Sequence, residues 1–149
     1  MTTIERSALV RFPAQSMFSL VADIDAYPEF LPWCQSSRIL SRSDAVIEAE
    51  LEIARGGFRR SFSTKNVNRE PDEITMTLLN GPFNSLQGVW QFTQLGDNAS
   101  KIALKLDFEM AGGVAAIAFG RIFNQICETM VDAFHQRAIA LHGKTSHAG

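Results

Sequence analysis

Residues 101–110 read KIALKLDFEM, and residues 114–141 read VAAIAFGRIFNQICETMVDAFHQRAIAL. In the first stretch Ile102, Leu104, Leu106, Phe108 and Met110 alternate with Lys101, Ala103, Lys105, Asp107 and Glu109. That period of two marks a strand with one buried face. In the second, Ala115, Phe119, Ile122, Phe123, Ile126, Met130, Val131, Phe134 and Ala138 recur at helical spacing. The helix predicted over 114–141 has about 28 residues and is roughly 42 Å long, about twice an average helix. Gly112 and Gly113 join the two elements.

Working back from this junction, the period of two persists. Residues 45–54 place Ile47, Ala49, Leu51 and Ile53 on one side and Glu48, Glu50 and Glu52 on the other. Gly56-Gly57 is a tight hairpin turn. The pairing across it sets Ile53 opposite Arg60, Leu51 opposite Phe62 and Glu48 opposite Lys65. Residues 58–69 form the return strand, and Pro71-Asp72 ends it. Ile74, Met76 and Leu78 are the apolar face of the next strand, which Asn80-Gly81-Pro82 breaks. Trp90 and Phe92 lie in a strand over 86–95, and Gly96-Asp97-Asn98 turns the chain into 101–110. Ile39 and Leu40 belong to an earlier strand that turns at Ser43-Asp44.

The N-terminal third differs. Residues 4–12 are β-rich. Pro13 suits a first helical turn, and Met17, Phe18, Leu20, Val21 and Ile24 form a helical stripe over 14–24. Residues 27–34, YPEFLPWC, hold two prolines, three aromatics and a thiol. Asp25 is placed to cap a one-turn helix with Pro28 in its first turn, and Pro32 stops it.

The order is therefore one strand, two short helices, about six meander strands and one long helix: an α+β chain with an antiparallel sheet of six to seven strands. A sheet that wide must curl around the single helix to exclude water. The curl leaves a crevice, and 27–34 is placed to close one end of it. Residues 1–142 read as one domain and 143–149 as a disordered tail.

Composition agrees with a globular chain: 149 residues, 46% hydrophobic, 20% charged, formal net charge −2. This charge gives no global attraction to nucleic acid or to an anionic membrane. No apolar run approaches 18 residues, and Cys34 and Cys127 are too few for a disulfide framework. These features predict a cytoplasmic, reduced protein.

Three stretches resemble the coenzyme Q-binding family of the START-like, helix-grip superfamily, a family that includes ribosome-association toxins of the RatA type. They are 27–34; Gly81-Pro82-Phe83 with Leu86 and Trp90-Gln91-Phe92; and Met130-Val131 with Ala133-Phe134 and Arg137-Ala138. The resemblance spans residues 4–142. It implies a helix-grip fold whose cavity holds a hydrophobic ligand, typically a polyprenyl quinone, with carriage of ubiquinone in support of respiration. RatA-type members imply the alternative, a protein that blocks association of ribosomal subunits. Cyclases and dehydratases of the superfamily imply a third, a small enzyme. The partners implied are a polyprenyl quinone, the large ribosomal subunit and a transient contact at the inner membrane surface. The expectation is a monomer without a cofactor, a quinone or other isoprenoid lipid being its ligand.

The ligand-binding candidates are Tyr27, Phe30, Leu31 and Trp33 at the mouth, Met76, Leu78, Phe83, Trp90, Phe92 and Phe108 on the sheet, and Phe119, Phe123 and Met130 on the helix. Each aromatic also reads as plain core. Arg60, opposite Ile53, shares its face and is placed to donate to a ligand head at the rim; its alternative is to run out to solvent along its own stem. The stretch 55–69 carries Arg55, Arg59, Arg60, Lys65 and Arg69 and no acid, a patch for lipid headgroups or RNA unless Glu48, Glu50 and Glu52 neutralise it.

Catalytic patterns are sparse. His135, His142 and His147 make no metal-ligand spacing with Cys34 or Cys127. There is no nucleophile elbow and no phosphate-cradling loop. Cys34 reads as buried and inert. Asp107 and Glu109 alternate outward, which leaves Asp23 and Asp25 near the lid as the acids a catalytic reading would need.

Overall fold

The computed structural model describes residues 1–148, with side chains through residue 143. The elements are β1 (Thr2–Val10), α1 (Ala14–Ala22), a 3-10 turn (Ile24–Ala26), α2 (Tyr27–Phe30), β2 (Cys34–Ser43), β3 (Val46–Arg55), β4 (Phe58–Arg69), β5 (Glu73–Asn80), β6 (Phe83–Gly96), β7 (Ala99–Met110) and α3 (Val114–Ala148). All seven strands form one antiparallel sheet in the order β1-β7-β6-β5-β4-β3-β2. The meander from β2 to β7 follows the chain, and β1 joins its far edge.

Hairpin chemistry fixes the register. Gly56 and Gly57 take φ of 58° and 84°, a two-residue turn that L side chains resist. The pairs across it are Ile53 with Arg60, Leu51 with Phe62 and Glu48 with Lys65, as the sequence predicts. On β3 this register buries Ile47, Ala49 and Ile53. On β7 it buries Ile102, Leu104, Leu106 and Phe108.

The sheet is concave. Flat strands β4 and β7, three positions apart, would lie about 14 Å from each other. Yet the Phe123 ring on α3 meets Phe62 of β4 at 5.7 Å and Phe108 of β7 at 4.9 Å. Register shifts within the β2–β3, β4–β5 and β6–β7 pairings supply local bends. α3 fills the concavity with Phe119, Phe123, Ile126, Val131, Phe134 and Ala138.

The helices depart from the sequence reading in three ways. α3 has 35 residues rather than 28, because Gly143 alone costs only about 1 kcal/mol and no proline lies within 114–148. The backbone of 143–148, read as tail, continues this helix; Gly149 and the His147 side chain lie outside the described residues. α1 ends at Ala22, two residues early, and Asp25 sits inside the 3-10 turn and caps nothing. The residue before α2 is Ala26, with no side-chain cap. The start of α1 is instead held by a distant group: Gln94 Oε1 accepts from the Ala14 N–H at 2.7 Å.

Candidate functional site

The 27–34 segment is clamped onto α3. Pro28 occupies the first turn of α2, and Leu31 leaves it in extended conformation ahead of Pro32. The Tyr27 hydroxyl donates to the Val21 carbonyl. The rings of Tyr27 and Phe30 both meet Phe134 at 5.4 Å. The Arg137 guanidinium lies 4.8 Å from the centre of the Phe30 ring and pairs with Glu29 at 3.1 Å. Its two prolines set a path, and its aromatics bind that path to the long helix. Cys34 already belongs to β2, opposite Ile53.

Behind this segment lies a partly open cavity of about 70 Å³ between sheet and helix. Six of the fourteen candidates line it: Tyr27, Trp33, Met76, Trp90, Phe123 and Met130. The other eight lie elsewhere. Phe83, Phe108 and Phe119 pack with Phe62 and Phe123 into a cluster of interlocked rings, with Phe83 and Phe123 only 5.0 Å apart. Phe92 stacks behind Trp90 at 6.1 Å and meets Phe18 at 5.6 Å. Phe30 lies between Phe134 and Arg137, and Leu78 is packed at the margin of the core. Leu31 is buried beneath a shallow surface groove with Pro32, Ala54 and Thr129.

Arg60 takes the second of its two readings and runs out to solvent rather than to a ligand head. It opposes Ile53 as expected, but it is exposed and borders an open groove with Glu52, Arg59, Gly81 and Pro82. The reason is positional. β5 pairs with β4 only from Ser63 onward, so the hairpin projects past its neighbour and Arg60 reaches water along its stem. Asp23 likewise faces a polar surface groove with Arg42, Asp44 and Glu70, away from the cavity.

Several wall residues lay outside the candidate set: Ile24, Ala49 and Leu51, then Leu86, Leu104 and Leu106, and on α3 Ile126 and Cys127. The informative pair is polar. Thr64 and Asn66 of β4 also line the cavity, and Thr64 Oγ1 donates to Asn66 Oδ1 at 2.8 Å. The register contained the signal, since it sets Ala49 opposite Thr64 and Ile47 opposite Asn66, both facing inward.

The lining holds no carboxylate and no imidazole. Burial raises the Tyr27 phenol and the Cys127 thiol well above their ordinary values, with lesser contributions from Cys34 and Asp23 at Tyr27 and from Glu128 at Cys127. Burial, and then Glu52, push the Cys34 thiol up to about 11. None of the three exchanges a proton readily near neutral pH. Among the described residues no group of three metal-ligating side chains assembles, and no helix is long and apolar enough to cross a membrane.

Outside the cavity, charge concentrates on the outer hairpins. Arg59 approaches Glu52 at 3.9 Å and Arg38 pairs with Glu50 at 3.2 Å. Arg55 and Arg60 are exposed and form no ion pair among the described residues.

A concave seven-stranded sheet gripping one terminal helix over an apolar cavity defines the START-like class, and the chain belongs to the family described as "Polyketide cyclase / dehydrase and lipid transport", which it matches over residues 10–135. Within that class it is 49% identical over 142 residues to the ribosome association toxin RatA of Pseudomonas aeruginosa, covering 95% of this chain and 99% of that protein. It is 29% identical over 148 residues to the mitochondrial coenzyme Q-binding protein COQ10 of Dictyostelium discoideum, covering 97% of this chain and 72% of that one. A START superfamily protein from Mycobacterium smegmatis has the same fold, with a TM-score of 0.78 at 21% identity, covering 93% and 98% of the two chains.

Proposed function

We infer that the chain acts on ribosome association through its outer surface and performs no chemistry of its own. The observation that carries this is the 49% identity, end to end, with a protein named for that activity. The interior adds weight. Small-molecule sites usually enclose about 300–1,000 Å³, and this one encloses about 70 Å³. A quinone ring with an isoprenoid tail needs the walls to move apart before it can enter. A cavity wall whose lining holds no carboxylate and no imidazole gives an acid–base enzyme reading little to work with.

Contact with ribosomal RNA calls for exposed cations free to meet phosphates, and Arg55 and Arg60 meet that description. The test is to add purified protein to separated ribosomal subunits and resolve the mixture on a sucrose gradient. Subunits that stay apart support the reading; an undiminished associated peak overturns it. Arg55→Ala with Arg60→Ala is expected to weaken the effect and to lower the slope of log affinity against log salt by about 1 for each phosphate no longer neutralised.

A second reading concerns the cavity. A buried polar pair inside an otherwise apolar enclosure is the pattern of a small-molecule site, and it supports binding of a compact apolar ligand alongside the surface activity.

A further inference from the structure

β4 turns three successive side chains into the interior: Phe62, Thr64 and Asn66. Phe62 joins the interlocked rings, while the other two are polar. Asn66 is 8% exposed, so more than nine-tenths buried. Its neighbours on the cavity wall include Met76, Trp90, Leu104 and Cys127. A primary amide offers one acceptor oxygen and two N–H donors. Thr64 Oγ1 donates to Oδ1 at 2.8 Å, which leaves the Nδ2 end toward the cavity. The Nδ2 group donates to nothing among the described residues. Nδ2 is not among the fully buried atoms that lack a partner, so it keeps accessible surface, and an unpaired donor with surface on a cavity wall has room for a partner.

Water is the simplest partner, and about 70 Å³ has room for several. A buried water, however, needs two to four polar contacts. Beyond Thr64 and Asn66 the wall offers no free acceptor, since the Tyr27 hydroxyl is already committed to Val21 and Trp33 and Trp90 carry only indole N–H donors. Waters near Asn66 leave most of the enclosure, which is apolar, unmatched. Its complement is a molecule apolar over nearly all its surface and carrying one hydrogen-bond acceptor.

We propose that Asn66, oriented by Thr64, is the recognition point for the carbonyl oxygen of a compact apolar ligand held in this cavity. The natural ligand belongs to the class of ketones, quinones or esters on an apolar skeleton. The enclosure is smaller than the roughly 150 Å³ that accepts a benzene ring, so the portion seated at Asn66 is the size of a small ring. Met76 and Met130, unbranched and flexible, are the side chains that yield to admit it. The proposal rests on the cavity reading above and is independent of any action on ribosomes.

Three five-membered rings test it: cyclopentanone as acceptor, methylenecyclopentane as its hydrocarbon shape match, and pyrrole as donor. Each is titrated into the full-length protein while the ε-methyl NMR signals of Met76 and Met130 are followed. In Asn66→Leu the ratio of cyclopentanone to methylenecyclopentane affinity is expected to fall about tenfold, the size of one buried hydrogen bond. Thr64→Val, which frees the amide without removing it, is expected to lower the ratio less. Binding of both rings with the same ratio in all three proteins overturns the role of Asn66 and leaves the cavity reading intact. No shift of either methyl with any ring overturns both. Pyrrole losing affinity in Asn66→Leu while cyclopentanone does not would mean the amide presents its oxygen, and also overturns the proposal. Circular dichroism of each variant confirms the fold before the ratios are compared, and the wild-type titrations stand on their own if a variant fails to fold.

Discussion

Phe62 and Asn66 lie four residues apart on β4, both buried, both facing α3. Phe62 touches the cavity with one side and packs against rings with the other. Its ring meets Phe83 and Phe123 edge-on at 5.7 Å each, and Phe108 and Phe119 complete the cluster. Around Asn66 there is a void of about 70 Å³. The same sheet and helix enclose both regions, so the fold does not decide which part is filled. The side chains do. An aromatic at 62 reaches the helix; Thr64 and Asn66, shorter and polar, do not. Gly88 contributes from β6: a Cβ there would come within 2.5 Å of Leu106 Cδ1 and 3.0 Å of Met76 Cε, both on cavity-lining residues. One end of the interior carries stability, and the other keeps space at a cost in stability.

That contrast predicts unequal costs of truncation. Phe83→Ala removes a ring packed against four others and is expected to destabilise by about 3–5 kcal/mol. Met130→Ala, half-buried and already bordering empty space, is expected to cost about 1–2 kcal/mol. Urea titration of both variants checks the difference. Equal costs would mean the two regions are packed alike.

Filling the space should do the reverse. Asn66→Leu replaces an amide with an unmade hydrogen bond by a larger apolar group that extends into the void. It is expected to raise stability by about 1–2 kcal/mol, judged from the cavity term and the relieved donor. A loss of stability instead would show that the amide already has a partner and that the void is not idle space. The gain, together with impaired binding of a carbonyl compound, would place Asn66 among residues kept for function against stability.

The two regions were also unequally legible. The strands, the Gly56-Gly57 turn and the pairing of Ile53 with Arg60 and Glu48 with Lys65 follow from period and turn chemistry alone. The change of period at Gly112-Gly113 announces the long helix, and its continuation past residue 141 shows that one glycine does not end a helix without a competing cap. Which aromatics interlock was not legible. Phe83, Phe108 and Phe119 read as cavity wall because ring size and face were known and three-dimensional convergence was not. Thr64 and Asn66 were missed for the opposite reason. Their inward placement was implicit in the register, yet polar residues on a strand are ordinarily assigned to solvent. Arg60 was placed on the correct face, but facing inward protects a side chain only where a neighbouring strand covers it.

The smallest predicted effect separates the regions by titration. Among the described residues the three groups with raised pKa values, Tyr27, Cys34 and Cys127, lie at or beside the cavity. A group that holds its proton more tightly when folded stabilises the native state below its unfolded pKa and loses that contribution as pH rises through the folded one. For Cys34 the unfolded thiol ionises from 9.0 and the folded thiol at about 11, so stability is expected to decline across that window. Cys127 and Tyr27 extend the decline upward from 9.0 and 10.0. The urea midpoint should therefore be flat up to about pH 8 and lower by pH 10, with a smaller drop in Cys127→Ala than in wild type. At pH 8 burial and Glu52 hold Cys34 as the thiol, so iodoacetamide should label the folded protein slowly and the urea-unfolded protein fast. Equal labelling rates, or a pH slope untouched by removing Cys127, would mean that the cavity side of the molecule is open to water and that the contrast with the packed cluster is one of solvent access rather than of side-chain size.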